Sequence, residues 1–372
     1  VSGRAILVVN AGSTSLKLRL VDDTEKSQPL VQIDAEPPDW GSAVADHLRA
    51  ASGRIEAVAH RVVHGGPSFR EPVLIDEAVY RQLANLVELA PLHNPPALAG
   101  IADATRALPD VPQVAVFDTS FHNTIPPAAA TYAVPSIWRE QWNIRRYGFH
   151  GLSVGWCAER VPELMGRSVE GLRLVVCHLG GGSSVSAVAD GRSRDTTMGF
   201  SPIEGVPMWT RSGSVDPGAL LYLIREHGLS DEHLEQTLNF GSGLKALSGG
   251  LTDMVELERA AATGSPDAQL AIEVFCHRLA GAVAAMAASA GGIDALAFTA
   301  GVGEGSALVR AEVGERLAFL GVAIDPQLNL AAHGDREVSG PAARVRVFVI
   351  HAQEEIPAAR AARAVVAGSR RT

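Results

Sequence analysis

Apolar and polar positions follow two periods along this chain, and one design occurs twice. Ile6-Leu7-Val8-Val9 is an unbroken apolar run that ends in the small, polar Asn10-Ala11-Gly12-Ser13-Thr14-Ser15. Leu16, Leu18 and Leu20 then alternate with Lys17 and Arg19. Apolar run, small-residue turn and period-two segment predict a β-hairpin. The design returns at Leu174-Val175-Val176-Cys177-His178-Leu179, with a turn at Gly180-Gly181-Gly182-Ser183-Ser184 and a second strand to Val188. This recurrence predicts a duplicated domain whose second copy starts after about residue 120. A third apolar run, Ala295 to Thr299, meets Gly301-Val302-Gly303-Glu304-Gly305 and a helical pattern to Leu320. Helical spacing is also predicted for Ser42 to Ala51 with Ser42 as N-cap, and for a helix entered near Pro95. Another predicted helix, Asp267 to Ala290, has a stripe of Leu270, Val274, Leu279, Val283 and Met286, and a terminal helix follows the strand Val345 to Ile350. Strands interleaved with helices make the expected fold class α/β.

The turns carry the first chemistry. Glycine and serine let backbone N–H groups approach an anion closely, so each turn is phosphate-sized. Ordinary turn formation explains a single such turn equally well. Asn10, however, ends a buried-looking strand with a side chain that needs a partner. Lys17 is one of three lysines among 32 basic residues, in a chain that otherwise uses arginine. Glycine turns on two duplicated domains suit a nucleotide held in an interdomain cleft. The P-loop pattern is absent, and Gly301-Val302-Gly303 lacks the spacing of a dinucleotide fingerprint.

Charge and cysteine usage narrow the class. The chain has 372 residues, 47% of them hydrophobic and 20% charged, with a net charge of −9. That balance argues against a general nucleic-acid binder. Cys157, Cys177 and Cys276 show neither disulfide nor zinc spacing, which fits a reducing cytoplasm. Leu279 to Ala290 is too short and small-sided to span a membrane, so a soluble cytoplasmic protein is expected.

Polar residues inside apolar strands mark the remaining candidates. Arg61 stands between His60 and Val62, before Val63-His64-Gly65-Gly66. It is either a buried ion pair or an anion-binding group, and the glycine pair favours the second. Asp118 closes Val114-Ala115-Val116-Phe117, where a carboxylate reaches a metal or substrate or caps a helix. His150 lies between glycines in Tyr147-Gly148-Phe149-His150-Gly151, and Arg211 occupies a small-residue loop. His277 reads as structural. The pair Glu354-Glu355 follows a strand and either faces solvent or suits Mg²⁺.

With these residues in place, the sequence resembles the acetokinase family, within the actin, Hsp70 and sugar kinase superfamily. The resemblance rests on Leu7 to Lys17 and His60 to Gly66, followed in family order by Phe117-Asp118-Thr119, Tyr147 to Gly151, Cys177 to Gly180, Met198-Gly199-Phe200, Thr210 to Gly213 and Glu354-Glu355. It implies two duplicated ribonuclease H-like domains with an interdomain cleft. Residues 1–118 with the returning helix 356–372 would form the first domain, and 119–355 the second, nucleotide-binding and dimerising one. The implied activity is reversible phosphoryl transfer from ATP to acetate, with Mg²⁺ or Mn²⁺, in a homodimer. Asn10 and Glu354 would hold the metal. Arg61 would bind the substrate carboxylate, and Val63, Leu92, Phe149 and Pro202 would line the acyl pocket. Asp118 would position metal or proton, while His150 and Arg211 would stabilise the transition state. ATP would be met by Ser13, Ser15, Lys17, His178, Leu179, Gly180, Gly181, Gly182, Asp253, Met254, Val255, Gly301, Val302, Gly303, Glu304 and Gly305. The family usually has asparagine at Gly181 and Gly305, arginine at Val255 and glycine at Trp209.

A carboxylate acceptor is already ionised at neutral pH, so no general base is required and neutralisation of two anions should dominate. Propionate or butyrate kinase differs only in pocket depth, worth about 1–3 kcal/mol per methylene. A non-catalytic, actin-like ATP-binding protein is the expectation from another class. The set Arg61, Asp118, His150 and Arg211 speaks against it.

Overall fold

The structure, a computed structural model, describes residues 4–12, 16–33, 48 and 52–369. Ser13, Ser15 and, apart from the buried helical residue Leu48, the helix expected over Ser42 to Ala51 lie outside the described residues.

Two compact units are present, one comprising residues 1–123 with 353–372 and the other residues 124–352. In the first, β1 (Ala5–Ala11), β2 (Leu16–Asp22) and β3 (Ser27–Ile33) form an antiparallel meander. β4 (Ile55–Val62) and β6 (Gln113–Phe117) add in parallel, and the two-residue β5 (Val73–Leu74) closes the edge antiparallel to β6. The order is β3-β2-β1-β4-β6-β5.

The second unit repeats this order strand for strand. β7 (Arg173–Leu179), β8 (Ser183–Ala189) and β9 (Arg192–Thr196) form the meander. β10 (Ala295–Thr299) and β12 (Arg346–Ile350) add in parallel, and the two-residue β11 (Arg336–Glu337) pairs antiparallel with β12. Reading β9-β8-β7-β10-β12-β11 against the first sheet matches every pairing and direction. The duplicated α/β fold expected from the recurring turns is therefore present, down to the short edge strands.

The unit boundary gives residues 119–123 and 353–355 to the first unit, whereas the sequence assigns them to the second. Side-chain bonds account for this. Thr119 Oγ1 accepts from Gly65 N (3.2 Å), Asn123 Nδ2 donates to Arg70 O, and Glu355 pairs with Arg19 (2.8 Å) and accepts from Ser27 Oγ (2.7 Å).

In the first unit the helix Asn94–Ala107 packs with Leu7, Val9, Val58 and Val62 on one sheet face. The terminal helix Glu355–Ser369 packs against β1, β4 and β6 through Ile356, Ala359 and Ala362. In the second unit the helix Pro266–Ser289 is longer than the apolar stretch read from sequence. Among the described residues it alone is long and apolar enough to cross a membrane. Ala268, Phe275, Leu279, Val283 and Met286 bury its stripe in the second core, which identifies it as a core helix of this unit. Leu270 lies off that stripe at 50% exposure, and His277 is also exposed rather than structural.

Candidate active site

Strand alternation and parallel register bring three polar residues together in the first unit. Val9 pairs with His60, so Asn10 and Arg61 leave β1 and β4 side by side; Asp118 is the first residue beyond β6. All three lie at C-terminal strand ends, on the face opposite Leu7, Val9 and Val58. Glu354, just before the terminal helix, completes the group.

Arg61 is its centre. Nε and Nη2 donate to the two Asp118 carboxylate oxygens at 2.9 and 2.6 Å. Nη1 donates to Asn10 Oδ1 at 3.2 Å and lies 3.4 Å from Glu354 Oε2. The buried ion pair is therefore the arrangement found for Arg61, and Asp118, 1% exposed, is its bidentate partner rather than a helix cap. Burial opposes the Arg61 charge, but Asp118 and then Glu354 outweigh it, so its pKa lies above the ordinary value. Glu354 moves the other way for a carboxylate. Burial raises its pKa, Arg61 counteracts this, and Asp118 and Glu355 add repulsion. Lys17, paired across the hairpin with Asn10, also acts on Glu354. Glu355 is held in its ion pair with Arg19, so the two neighbouring glutamates do different work.

The second unit assembles another group. His150 adopts a left-handed backbone (φ 59°) at the entry to the helix Gly151–Met165. Its ring stacks on His178 with centroids 4.0 Å apart. Gly182, in the turn between β7 and β8, faces both cationic and imidazole groups. A Cβ there would stand 3.2 Å from Arg211 Nη1 and 3.3 Å from His150 Nε2, so a side chain at this point would crowd both groups. Burial lowers the Arg211 pKa, in contrast to Arg61, where Asp118 reverses that effect. His150, His178, Arg211 and the Gly180–Gly182 turn are thus one cluster.

The other sequence candidates divide. Gly303 sits tightly on β7 and β10, its Cβ position 3.3 Å from Phe298 C and 3.6 Å from Cys177 O. The glycine turn expected after β10 is instead a short helix, Ala300–Gly305, that starts directly at the strand end. Glu304 accepts from Ala352 N (2.9 Å) and pairs with His351 (2.8 Å), which fixes this helix to the end of β12. Asp253 caps the helix Met254–Ala262 through Glu256 N (2.9 Å), while Met254 is buried. Gly181, Gly305 and Val255 are exposed, with no atom within 4 Å of a Cβ at either glycine. Val63 and Leu92 are half-buried in the first unit; Phe149 and Pro202 are buried in the second.

Two residues that hold these groups in place escape the sequence reading. Arg310, 1% exposed, donates to the carbonyls of Gly303 (2.9 Å) and Glu304 (2.7 Å) and to Asn329, holding the C-terminal end of the helix Ala300–Gly305. Its place between Val309 and Ala311 is the same signal that singled out Arg61. Gly243 has φ 66°, and a Cβ there would lie 2.2 Å from Met208 O. The next two amides donate to Met208 O and Trp209 O at 2.9 Å, fixing the loop that carries Arg211.

A profile described as the acetokinase family matches residues 42–360. The chain belongs to the acetokinase family. It is 46% identical over 350 residues to an acetate kinase of Nostoc punctiforme, covering 94% of this chain and 85% of that protein. It is 44% identical to an acetate kinase of Gloeobacter violaceus, covering 95% and 98%. Among solved structures, a propionate kinase from Francisella tularensis superposes with a TM-score of 0.90 at 35% identity, covering 97% of this chain and all of the other. The acetate kinase of Porphyromonas gingivalis gives 0.87 at 32%, covering 98% and 100%. Acetokinases are phosphotransferases with a carboxyl acceptor and ATP or ADP as nucleotide, so this chain is an enzyme and not a silent ATP-binding relative.

Proposed function

We propose that this acetokinase transfers the γ-phosphoryl group of ATP directly to acetate, in line and reversibly, giving acetyl phosphate and ADP. The Arg61 cluster is the observation that carries the reading. A guanidinium anchored on one edge by Asp118 is a preorganised partner for a small carboxylate. The acetate oxygen attacks the γ-phosphorus as the bond to the bridging oxygen breaks, leaving its electron pair on ADP. No proton is transferred, so Asp118 acts by aligning Arg61. His150 and Arg211 would donate to the phosphoryl oxygens as charge is redistributed. The turn Gly180–Gly182, the glycine-rich helical segment Gly301–Gly305 and Lys17 would meet the nucleotide phosphates.

Asn10 and Glu354 fit a Mg²⁺-nucleotide. They offer two hard oxygen donors around one Arg61 nitrogen, and a buried carboxylate with a raised pKa gains from a cation. No group of three metal-ligating side chains exists among the described residues, which suits an ion held mainly by substrate phosphates and water. Bound there, the ion would neutralise phosphate charge.

Val63, Leu92, Phe149 and Pro202 are proposed to line the acyl pocket, and Asp253 to Val255 to approach the nucleotide. Propionate is the second acceptor to test, given the Francisella tularensis propionate kinase. A homodimer is supported by the helix Pro217–His227, which buries none of its residues although Leu221, Tyr222 and Ile224 are 56%, 51% and 43% exposed. We place the enzyme in the cytoplasm, as its three buried free thiols suggest. Hydroxamate trapping of acyl phosphate from ATP, Mg²⁺ and acetate, propionate or butyrate tests the reading. No hydroxamate with any acid would refute it.

A further inference from the structure

Both imidazoles of the second-unit cluster are tied at the same atom and point the same way. His150 Nδ1 lies 3.0 Å from Ser184 Oγ, and His178 Nδ1 lies 2.8 Å from Ser153 Oγ. Both serines are fully buried, Ser184 on β8 and Ser153 in the helix Gly151–Met165. The opposite nitrogens face the glycine turn. His150 Nε2 is 3.3 Å from a Cβ position on Gly182, and His178 Nε2 is 3.7 Å from one on Gly180.

The charged and titratable groups shown against His150 are His178, stacked from β7, and Arg211, beside the same face of Gly182. A neutral imidazole can donate from Nε2 only when Nδ1 accepts.

We propose that Ser184 is a positioning residue that donates its hydroxyl proton to His150 Nδ1, fixing the neutral Nε2–H tautomer aimed at the glycine turn. His150 then donates to a phosphoryl oxygen without first taking up a proton, and Ser153 does the same for His178. The inference rests on the proposed role of His150 in phosphoryl transfer, but the tautomer is a property of the chain alone.

The test has two arms. In the first, nitrogen-15 NMR of the full wild-type chain above the usual imidazole range reads which ring nitrogen of His150 carries the proton, with Ser184→Ala used for assignment. Nε2–H is expected; Nδ1–H overturns the proposal whether or not the enzyme turns over acetate. In the second, kcat is followed against pH. Ser184→Ala should lose about 10- to 100-fold in kcat at alkaline pH with KM values little changed. Acid pH should restore much of this, because the imidazolium donates from both nitrogens. Ser184→Thr, which keeps the hydroxyl, should recover most activity. A Ser184→Ala profile parallel to the wild type contradicts the proposal. If Ser184→Ala fails to fold, the wild-type spectrum, assigned by isotope labelling and through-bond correlation, decides alone. A wild type with the Nε2–H tautomer but no acyl phosphate would refute the proposed activity and leave the tautomer standing.

Discussion

Arg61 is both a structural cation and the proposed anchor for the acceptor, and the two roles predict different losses. Arg61→Ala should lower kcat by about 10²–10³, the range for one preorganised donor. It should also destabilise the chain by about 3–5 kcal/mol, because Asp118 is left buried and unpaired. Arg211→Ala should show a similar loss of kcat with little loss of stability, since burial already works against its charge. Steady-state kinetics paired with thermal unfolding separate the two, and near-wild-type turnover would remove either arginine from the site. Glu354 predicts a pH effect. Its pKa is raised in the folded chain, so the carboxylate costs stability above that pKa, and the cost vanishes below the unfolded value near ~4. Glu354→Gln should therefore unfold at higher temperature than wild type at neutral pH, match it at acid pH, and be impaired in turnover. Asn10, Arg61 and Asp118 were legible because polar groups in apolar strands need partners. Which partner they take depends on strand register, so the sequence favoured anion binding where the structure forms an ion pair.

At the scale of elements, periodicity exposed the two hairpins, the parallel strands that follow them and the helix Pro266–Ser289. The edge strands β5 and β11 were not legible, because two residues carry no period. Nor was the support behind Arg211. Gly243 looks like any turn glycine until its left-handed backbone and its approach to Met208 O are seen. Gly243→Ala should displace the 208–211 loop and lower kcat by roughly 10²-fold through misplacement of Arg211, with substrate KM values changed less. Unchanged kinetics would mean that the loop is held by other contacts.

For the whole molecule, duplication explains why each unit presents polar groups at the C-terminal ends of its sheet. The same strand order places Asn10, Arg61 and Asp118 in one copy and the His178 to Gly182 turn with Gly301 to Gly305 in the other. The sequence supplied this repetition, but not that residues 119–123 and 353–355 belong with the first copy through bonds formed in space. The exposed helix Pro217–His227 predicts association at this scale. Leu221→Glu with Ile224→Glu should shift a dimer to a monomer in sedimentation velocity, and an unchanged dimer would relocate the interface.

Purified enzyme mixed with ATP, Mg²⁺ and acetate, with the acyl phosphate trapped by hydroxylamine, addresses carboxyl phosphorylation most directly. The account predicts acetohydroxamate formation by the wild type, reduced about 10²–10³-fold in Arg61→Ala and in Arg211→Ala. Absence of hydroxamate from the wild type, or undiminished formation by both variants, would contradict it.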